Sequence, residues 1–434
     1  MTGAAATTTA VVVFVIAYLL LASEKVPRTA AALGGAGVLA AAGLVTADSA
    51  FFDHDTGVDW NVIFLLLGMM IIVSVVKQTG LFDYLAIWAA KRARGRPFAV
   101  MALLVVITAL ASAFLDNVTT VLLVAPVTLL VCDRLGVPPV PFLLAEVMAS
   151  NIGGTATLIG DPPNIIIGSR AGLSFNDFLV NLGPIVLLLL VVFVGLCRWL
   201  FRDAFRVDPE RVAEVMALDE REAVRDRSLL IRSLVVLGLV ILGFVLHGVL
   251  GTDPSVVALL GAGVIVVVSR TEPAQYLEDV EWGTLVFFMG LFVMVGALVH
   301  VGVIDSLGRA AVDLFGSNVL LASTVLLFGS AVLSAVVDNI PYVATMAPLV
   351  QDVANAMPDP HAAQSLWWSL ALGADLGGNA TAVGASANVV VLGIAARYGH
   401  PISFWKFTRY GLVVAGVTVA LCWPYLWLRY SVLA

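Results

Sequence analysis

The chain has 434 residues, of which 60% are apolar and only 12% charged, with a net charge of −7. Its mean hydropathy is +1.01, so it cannot hide its apolar surface from water by folding on itself, which excludes a soluble globular domain and makes lipid its solvent. No nucleic-acid partner is expected, and the net charge matters less than where the basic residues lie.

The N-terminus, MTGAAATTTA, has no basic residue before the first apolar run; Lys25 and Arg28 follow it. This pattern predicts a retained helix near 4–22 rather than a cleaved signal peptide. Further spans are predicted near 29–47, 61–76 and 178–197, with a helical hairpin over 97–132 and an interrupted helix over 138–168. Each long run approaches the ~20 residues that a helix needs to cross the hydrocarbon. The stretch Arg198–Arg232 carries eight arginines and eight acids and reads as a solvated linker, partly helical at a membrane surface. Uncharged runs then resume at Ser233–Thr252, Pro254–Ser269, Trp282–Ile304, Leu314–Val337, Leu376–Ala396 and Tyr410–Leu428. The three cysteines, Cys132, Cys197 and Cys422, have neither metal-type nor disulfide spacing and are expected to pack.

The chain repeats itself. DWNVIFLLLGMM from Asp59 matches EWGTLVFFMGLF from Glu281, pairing Trp60 with Trp282 at a spacing of 222 residues. In the same register Gly80 pairs with Gly302, Asp83 with Asp305, Asp116-Asn117 with Asp338-Asn339, and Pro126 with Pro348. After a slip of two residues, NIGGTATLIGDPPN (Asn151–Asn164) matches DLGGNATAVGASAN (Asp375–Asn388). The expected organisation is a first transmembrane repeat over 1–200, a charged cytoplasmic linker over 201–232 and a second repeat over 233–434.

Five spans plus a re-entrant hairpin make each half odd, and two odd halves in sequence must lie in opposite orientations. If the linker is cytoplasmic, 20 of the 23 basic residues fall inside, and only Arg170, Arg309 and Arg429 fall outside, as the positive-inside rule requires. The segment around Asp53, Asp55 and Asp59 is expected outside. The expected fold is therefore an all-α polytopic membrane protein of two inverted repeats. Each repeat has five spans, a re-entrant helical hairpin and an interrupted helix.

Four segments place polar residues and helix breakers inside apolar spans: Phe114–Pro126, Ser150–Asn164, Val336–Pro348 and Gly373–Asn388. Irregular backbone at membrane depth is tolerated only where it is buried in protein or lines a cavity. Helix ends exposed there attract ions. The candidate substrate and ion site comprises Asp116, Asn117, Thr119, Thr120, Asn151, Gly153, Gly154, Thr155, Thr157, Asp161 and Asn164 from the first half. Asp338, Asn339, Asp375, Gly377, Gly378, Asn379, Thr381, Ser386 and Asn388 come from the second. Acids at membrane depth are costly and are functional candidates by default. Asp116 and Asp338, at equivalent hairpin tips, are expected near one shared site, each able to cap its returning helix as well. Asp161 is open between a cap and a ligand, and Glu146 and Asp375 are further candidates. Trp60 and Trp282 are expected interfacial anchors, and the Gly34–Gly43 stretch a place of close helix packing.

DNVTTVLLVAP, SNIGGTATLIGDPPN, DNIPYVATMAP and ALGADLGGNATAVGASANVVVLGI resemble the signatures of the ArsB/P-protein branch of the ion transporter superfamily. NhaD-type sodium/proton antiporters and citrate or dicarboxylate symporters are more distant relatives. The resemblance implies a homodimer with a static scaffold and a moving transport domain. It also implies substrate and sodium sites at the hairpin tips and interrupted helices, with sodium near Asp116, Asn117, Asp338 and Asn339 and no other cofactor. Where the anion symporters carry Ser-Asn-Thr, this chain has Asp116-Asn117-Val118 and Asp338-Asn339-Ile340, which disfavours a carboxylate substrate. The expected function is arsenite- or antimonite-permease-type transport of a small inorganic ion or oxyanion, coupled to protons or sodium, in the bacterial inner membrane. A sodium/proton antiporter ranks next, then a citrate-type symporter, a channel and an intramembrane aspartyl protease.

Overall fold

The structure is a computed structural model that describes residues 3–23, 25–54, 56–206, 209–217, 219–270, 272–316 and 318–432; Asp55 lies outside the described residues. Those residues form helices and connecting turns, with no strand among them. The first half runs α1 (Gly3–Ser23), α2 (Arg28–Ala41), α3 (Ala47–Phe51), α4 (Trp60–Gln78), α5 (Leu81–Arg92), α6 (Pro97–Ser112), α7 (Asn117–Leu135), α8 (Pro139–Gly154), α9 (Pro162–Ala171) and α10 (Phe175–Leu200). The linker contributes α11 (Pro209–Met216). The second half runs α12 (Arg227–Leu250), α13 (Pro254–Ser269), α14 (Pro273–Glu278), α15 (Trp282–His300), α16 (Val303–Phe315), α17 (Val319–Ser334), α18 (Asn339–Ala356), α19 (Pro360–Gly377), α20 (Ser386–Arg397) and α21 (Phe404–Trp427). Seven of these helices are long and apolar enough to cross a membrane: α1, α4, α7, α10, α12, α15 and α21 with its continuation to Val432.

Ten elements of the first half thus find ten in the same order in the second, and their contacts are exchanged between halves. α2 packs on α15 as α13 packs on α4, and α7 packs on α20 as α18 packs on α9. Small details recur with them. The Trp60 indole N–H donates to the Phe51 carbonyl at 2.7 Å and that of Trp282 to the Leu277 carbonyl at 3.1 Å, tying each span start to the short helix before it.

Several boundaries differ from the sequence reading. The run 29–47 is not one span, because α2 stops at Ala41 and Gly43 turns the chain with φ 71°. The run Leu376–Ala396 is broken between Gly377 and Ser386. The second half begins inside the expected linker, at Arg227, where the Asp226 carboxylate accepts from the Ser228 and Leu229 amides. The short helices α3 and α14 and the equivalent α5 and α16 are additional; α5 and α16 carry charges that hide them from a search for uncharged runs. The linker is not a free solvated loop. Its α11 packs on α5 and α7, the Arg225 amide donates to the Thr79 carbonyl at 3.0 Å, and Lys91 donates to Glu220. That hydrogen bond from Lys91 holds the Glu220 carboxyl below its usual value.

The crossings of α4 with α13 and of α15 with α2 depend on the absence of a side chain. A Cβ at Gly68 would stand 2.7 Å from the Ala258 carbonyl carbon, and one at Gly290 would stand 2.8 Å from that of Ala32. In the Gly34–Gly43 stretch, by contrast, only Gly35 meets a neighbour within 4 Å, at Met294 and Ala17. Backbone cannot yield as a flexible side chain can, so Gly68→Ala and Gly290→Ala should each cost about 1–3 kcal/mol by overpacking. Thermal unfolding of the detergent-solubilised protein should show both variants below wild type and Gly34→Ala unchanged. Equal unfolding of all three would show that these crossings are loose.

Candidate functional site

Each hairpin turns at an aspartate. α6 ends at Ser112, and α7 starts at Asn117 with Asp116 as its N-cap, accepting from the Thr119 amide at 2.8 Å and from Thr119 Oγ1 at 2.5 Å. In the second half Asp338 caps α18 through the Ile340 amide at 3.1 Å. Beside each tip lies an interrupted helix. α8 runs to Gly154 and α9 resumes at Pro162; α19 runs to Gly377, a 3-10 turn covers Gly378–Ala380, and α20 resumes at Ser386. The interruptions are pressed against the hairpins: a Cβ at Gly153 would fall 2.1 Å from the Ala109 oxygen, and one at Gly377 would fall 2.5 Å from that of Ala331. Only glycine admits this approach.

The polar groups freed by the interruptions are taken up by side chains in equivalent ways. Asn164 Nδ2 donates to the Thr157 carbonyl at 3.0 Å and to that of Gly154 at 3.4 Å. Asn388 Nδ2 donates to the Thr381 and Gly378 carbonyls, both at 2.8 Å. Thr157 Oγ1 donates to the Ala113 carbonyl, and Thr381 Oγ1 to that of Ala335 at 2.6 Å, fastening each interruption to its hairpin tip. A buried carbonyl without a donor costs about 1–3 kcal/mol, so these side chains stabilise the two interruptions.

At the centre the two halves meet through amides. Asn117 Nδ2 donates to Asp161 Oδ2 at 3.0 Å and to Asn151 Oδ1 at 3.0 Å. Asn339 Nδ2 donates to both Asp161 oxygens, at 3.2 and 3.3 Å. Asn151 Nδ2 in turn reaches Asn379 Oδ1 at 2.9 Å and Asn388 Oδ1 at 3.2 Å. The tip asparagines, not the tip aspartates, therefore converge on one group. That group is Asp161, fully buried; it occupies the N-cap position of α9 but makes no cap hydrogen bond. Its place in the second half is taken by Ala385, so the repeat reveals no partner for it.

The two tip aspartates differ. Arg28 Nη1 donates to Asp338 Oδ2 at 2.7 Å and to Ser386 Oγ at 2.5 Å, and Ser386 Oγ donates to Asp338 Oδ2 at 2.8 Å. The charge of Asp338 is thus met by a guanidinium, which a sodium ion would have to displace. Asp116 instead lines a cavity of about 670 Å³ together with Lys25, Arg28, Glu281, Thr284 and Ser386. Arg28 and Glu281 were not among the site residues expected from sequence. Arg28 comes from the start of α2, 310 positions from its partner, and nothing in its local sequence marks it. The remaining candidates are placed in the same region. Thr155 Oγ1 donates to the Asn151 carbonyl at 2.8 Å, Thr120 Oγ1 is buried without a partner, and Gly378 packs against Gly384. Glu146 lies apart, on α8, accepting from Thr128 on α7.

Comparison with known proteins gives the family and the fold. The citrate transporter family pattern matches residues 18–373. A 46 kDa membrane protein of Mycobacterium leprae is 57% identical over 413 residues, covering 95% of this chain and 96% of that one. A protein of Mycobacterium tuberculosis named as an uncharacterized transporter is 59% identical over 411 residues, covering 95% and 96%. The mouse P protein is 33% identical over 480 residues, covering 92% of this chain and 58% of that one. The crystal structure of the YdaH transporter of Alcanivorax borkumensis shares the fold, with a TM-score of 0.59 at 15% identity over 85% of each chain. The chain is an integral membrane transporter and belongs to the citrate transporter family.

Proposed function

We propose that the chain is a secondary carrier for a small inorganic ion or oxyanion, coupled to protons or sodium, in a bacterial inner membrane, with its two halves in opposite orientations. The observation that carries this reading is the convergence of both hairpin tips on Asp161, beside a cavity of about 670 Å³. A site built from two repeated halves at the interruption of two helices suits alternating access. An uncharged oxyacid such as arsenous acid escapes repulsion by Asp116 and Glu281. Arg28 and Lys25 on the cavity wall favour a second reading, carboxylate symport, because a guanidinium matches a carboxylate in two parallel hydrogen bonds.

One assay separates these. Purified protein in liposomes, with internal pH recorded, receives arsenite, antimonite, phosphate, chloride, citrate, sodium and lithium in turn. Saturable responses to the inorganic species are expected. A response to citrate alone would replace the inorganic reading with the carboxylate one, and a response to sodium or lithium alone would mean a cation/proton antiporter.

Opposed orientation is tested by labelling. The native cysteines Cys132, Cys197 and Cys422 are buried, so introduced ones report cleanly. Cysteines at Arg94 and within 219–227 should react only from the cytoplasm, and one at Phe52, 79% exposed, only from outside. Reaction of Phe52 and Arg94 positions from one side would defeat the topology.

The asparagine contacts are tested by Asn117→Ala and Asn339→Ala. Each removes a donor to a carboxylate, a contact worth about 1.5–3 kcal/mol, so each should lower flux by about tenfold or more while the protein stays monodisperse. Aggregation of both would assign these residues to folding alone.

A further inference from the structure

Two helices joined in sequence by the charged linker pack into different groups: α10 lies on α6, α8 and α21, and α12 lies on α4 and α13. One contact between these groups is the first turn of α10 on the last two turns of α12. Three interactions make this joint. The fully buried rings of Phe175 and Phe244 stack at 5.8 Å, Asn176 Nδ2 donates to the Val245 carbonyl at 2.7 Å, and the Phe175 amide donates to His247 Nε2 at 3.3 Å. The other half departs from this pattern. Ser403 caps α21 as Ser174 caps α10, yet the following Phe404 is 40% exposed where Phe175 is buried. In the register that pairs Ala32 with Ala258 at the two glycine crossings, His247 corresponds to Leu21, which has no acceptor.

A backbone amide can only donate, so the ring nitrogen that faces it must carry no proton. Phe175 is the first residue of α10, and a helix N-terminus, with its free amides and positive dipole end, repels a cation. An imidazole gains its proton between about pH 5 and 8. Gaining it here removes the acceptor and sets a positive charge against the start of α10. A different partner stands close by. His247 is partly exposed in a cavity of about 210 Å³ that Asn61, Ser169, Ser174, Asp253 and Ser255 also line, and the Asp253 carboxylate makes no cap hydrogen bond at the start of α13. The other charged groups at this end are engaged or lie elsewhere. Asp177 on α10 accepts from the Ser174 amide and hydroxyl, and Asp59 before α4 accepts from the Asn61 and Val62 amides and from Ser169. Arg170 on α9 lines a separate cavity beside Asp53.

We propose that His247 is a proton-operated latch between these two groups of helices. Neutral, it holds α10 to α12 through the Phe175 amide; protonated, it releases that amide and turns to Asp253. Acid on the side of the α12–α13 turn thereby loosens the joint. The latch lies apart from the cavity at Asp116 and from both interruptions, but α10 packs on α8, which carries Asn151. Loosening the joint therefore frees the helix that ends in the first interruption to shift against α4. The consequence for flux rests on the carrier reading above, whereas the latch does not.

The latch is measured at the amide it holds. Hydrogen exchange of the Phe175 amide is followed in the purified protein from pH 8 to pH 5, each rate being divided into the intrinsic rate at that pH to give a protection factor. In the wild type, protection should fall by about tenfold or more as the imidazole gains its proton. His247→Gln keeps an acceptor that does not titrate, so protection should persist at both ends of the range. His247→Leu has no acceptor, and its Phe175 amide should be unprotected throughout. Asp253→Asn withdraws the partner of the protonated ring and should move the loss of protection to lower pH; it carries the test if the His247 variants do not fold. Unchanged protection in the wild type would overturn the proposal, as would the same acid-induced loss in His247→Gln or an unshifted midpoint in Asp253→Asn. In liposomes, wild-type flux should change severalfold between pH 8 and pH 5 on the side of the α12–α13 turn, and that of His247→Gln should change less. Equal changes in both would overturn the role of the latch in transport. An acid-opened latch in a protein that carries no flux under any condition would leave the latch standing and remove the carrier reading instead.

Discussion

A helix interrupted inside lipid exposes amides and carbonyls that water cannot reach, and the rest of this structure follows from how they are satisfied. Asn164 and Asn388 take the carbonyls at the two interruptions, and Thr157 and Thr381 fasten the interruptions to the hairpin tips. The glycines at 153 and 377 let the hairpin backbones approach closely enough for those bonds to form. With the backbone satisfied in this way, the remaining side chains are free to face one another across the boundary between halves. An interruption without such caps would leave several unpaired groups at membrane depth.

Function then enters through departures from the repeat. Asp161 has alanine as its counterpart, yet it is the point where the tips of both halves meet. Arg28 neutralises Asp338, while Asp116 is left to line the cavity. Asp375 stands where the other half has Asn151. In the proposed carrier a repeated frame would offer two related conformations, and the asymmetric charges would decide which ions bias them. An anion that engaged Arg28 would release Asp338 and so alter a contact across the boundary between the halves.

Much of this was legible in the sequence. The repeat of Trp60 at Trp282 and of Asp116-Asn117 at Asp338-Asn339 located the spans and the hairpins, because polar residues and glycine do not keep register by chance in an apolar chain. The asparagines and threonines of the interrupted helices could be named for the same reason. The repeat also misled. It pointed to the tip aspartates as the shared centre, whereas the caps they make turn Asp116 towards Thr119 and leave Asn117 and Asn339 to converge. Asp161 looked ambiguous because its counterpart is alanine. Arg28 and Glu281 were invisible as site residues, since each joins the cavity only through packing between distant helices. The amphipathic α5 and α16 escaped because a membrane search rewards uncharged runs and both carry charges.

The central claim is that this boundary between halves moves to carry its substrate, so the decisive quantity is whether flux on one side responds to substrate on the other. Entry of a labelled substrate identified by the liposome screen should be compared between vesicles preloaded with the same unlabelled substrate and empty vesicles, across a range of outside concentrations. The account predicts saturable entry that preloading accelerates, because a loaded site returns more readily than an empty one with its charges uncompensated. Entry that rises linearly with concentration and is indifferent to preloading would contradict it and would make the same cavity a channel.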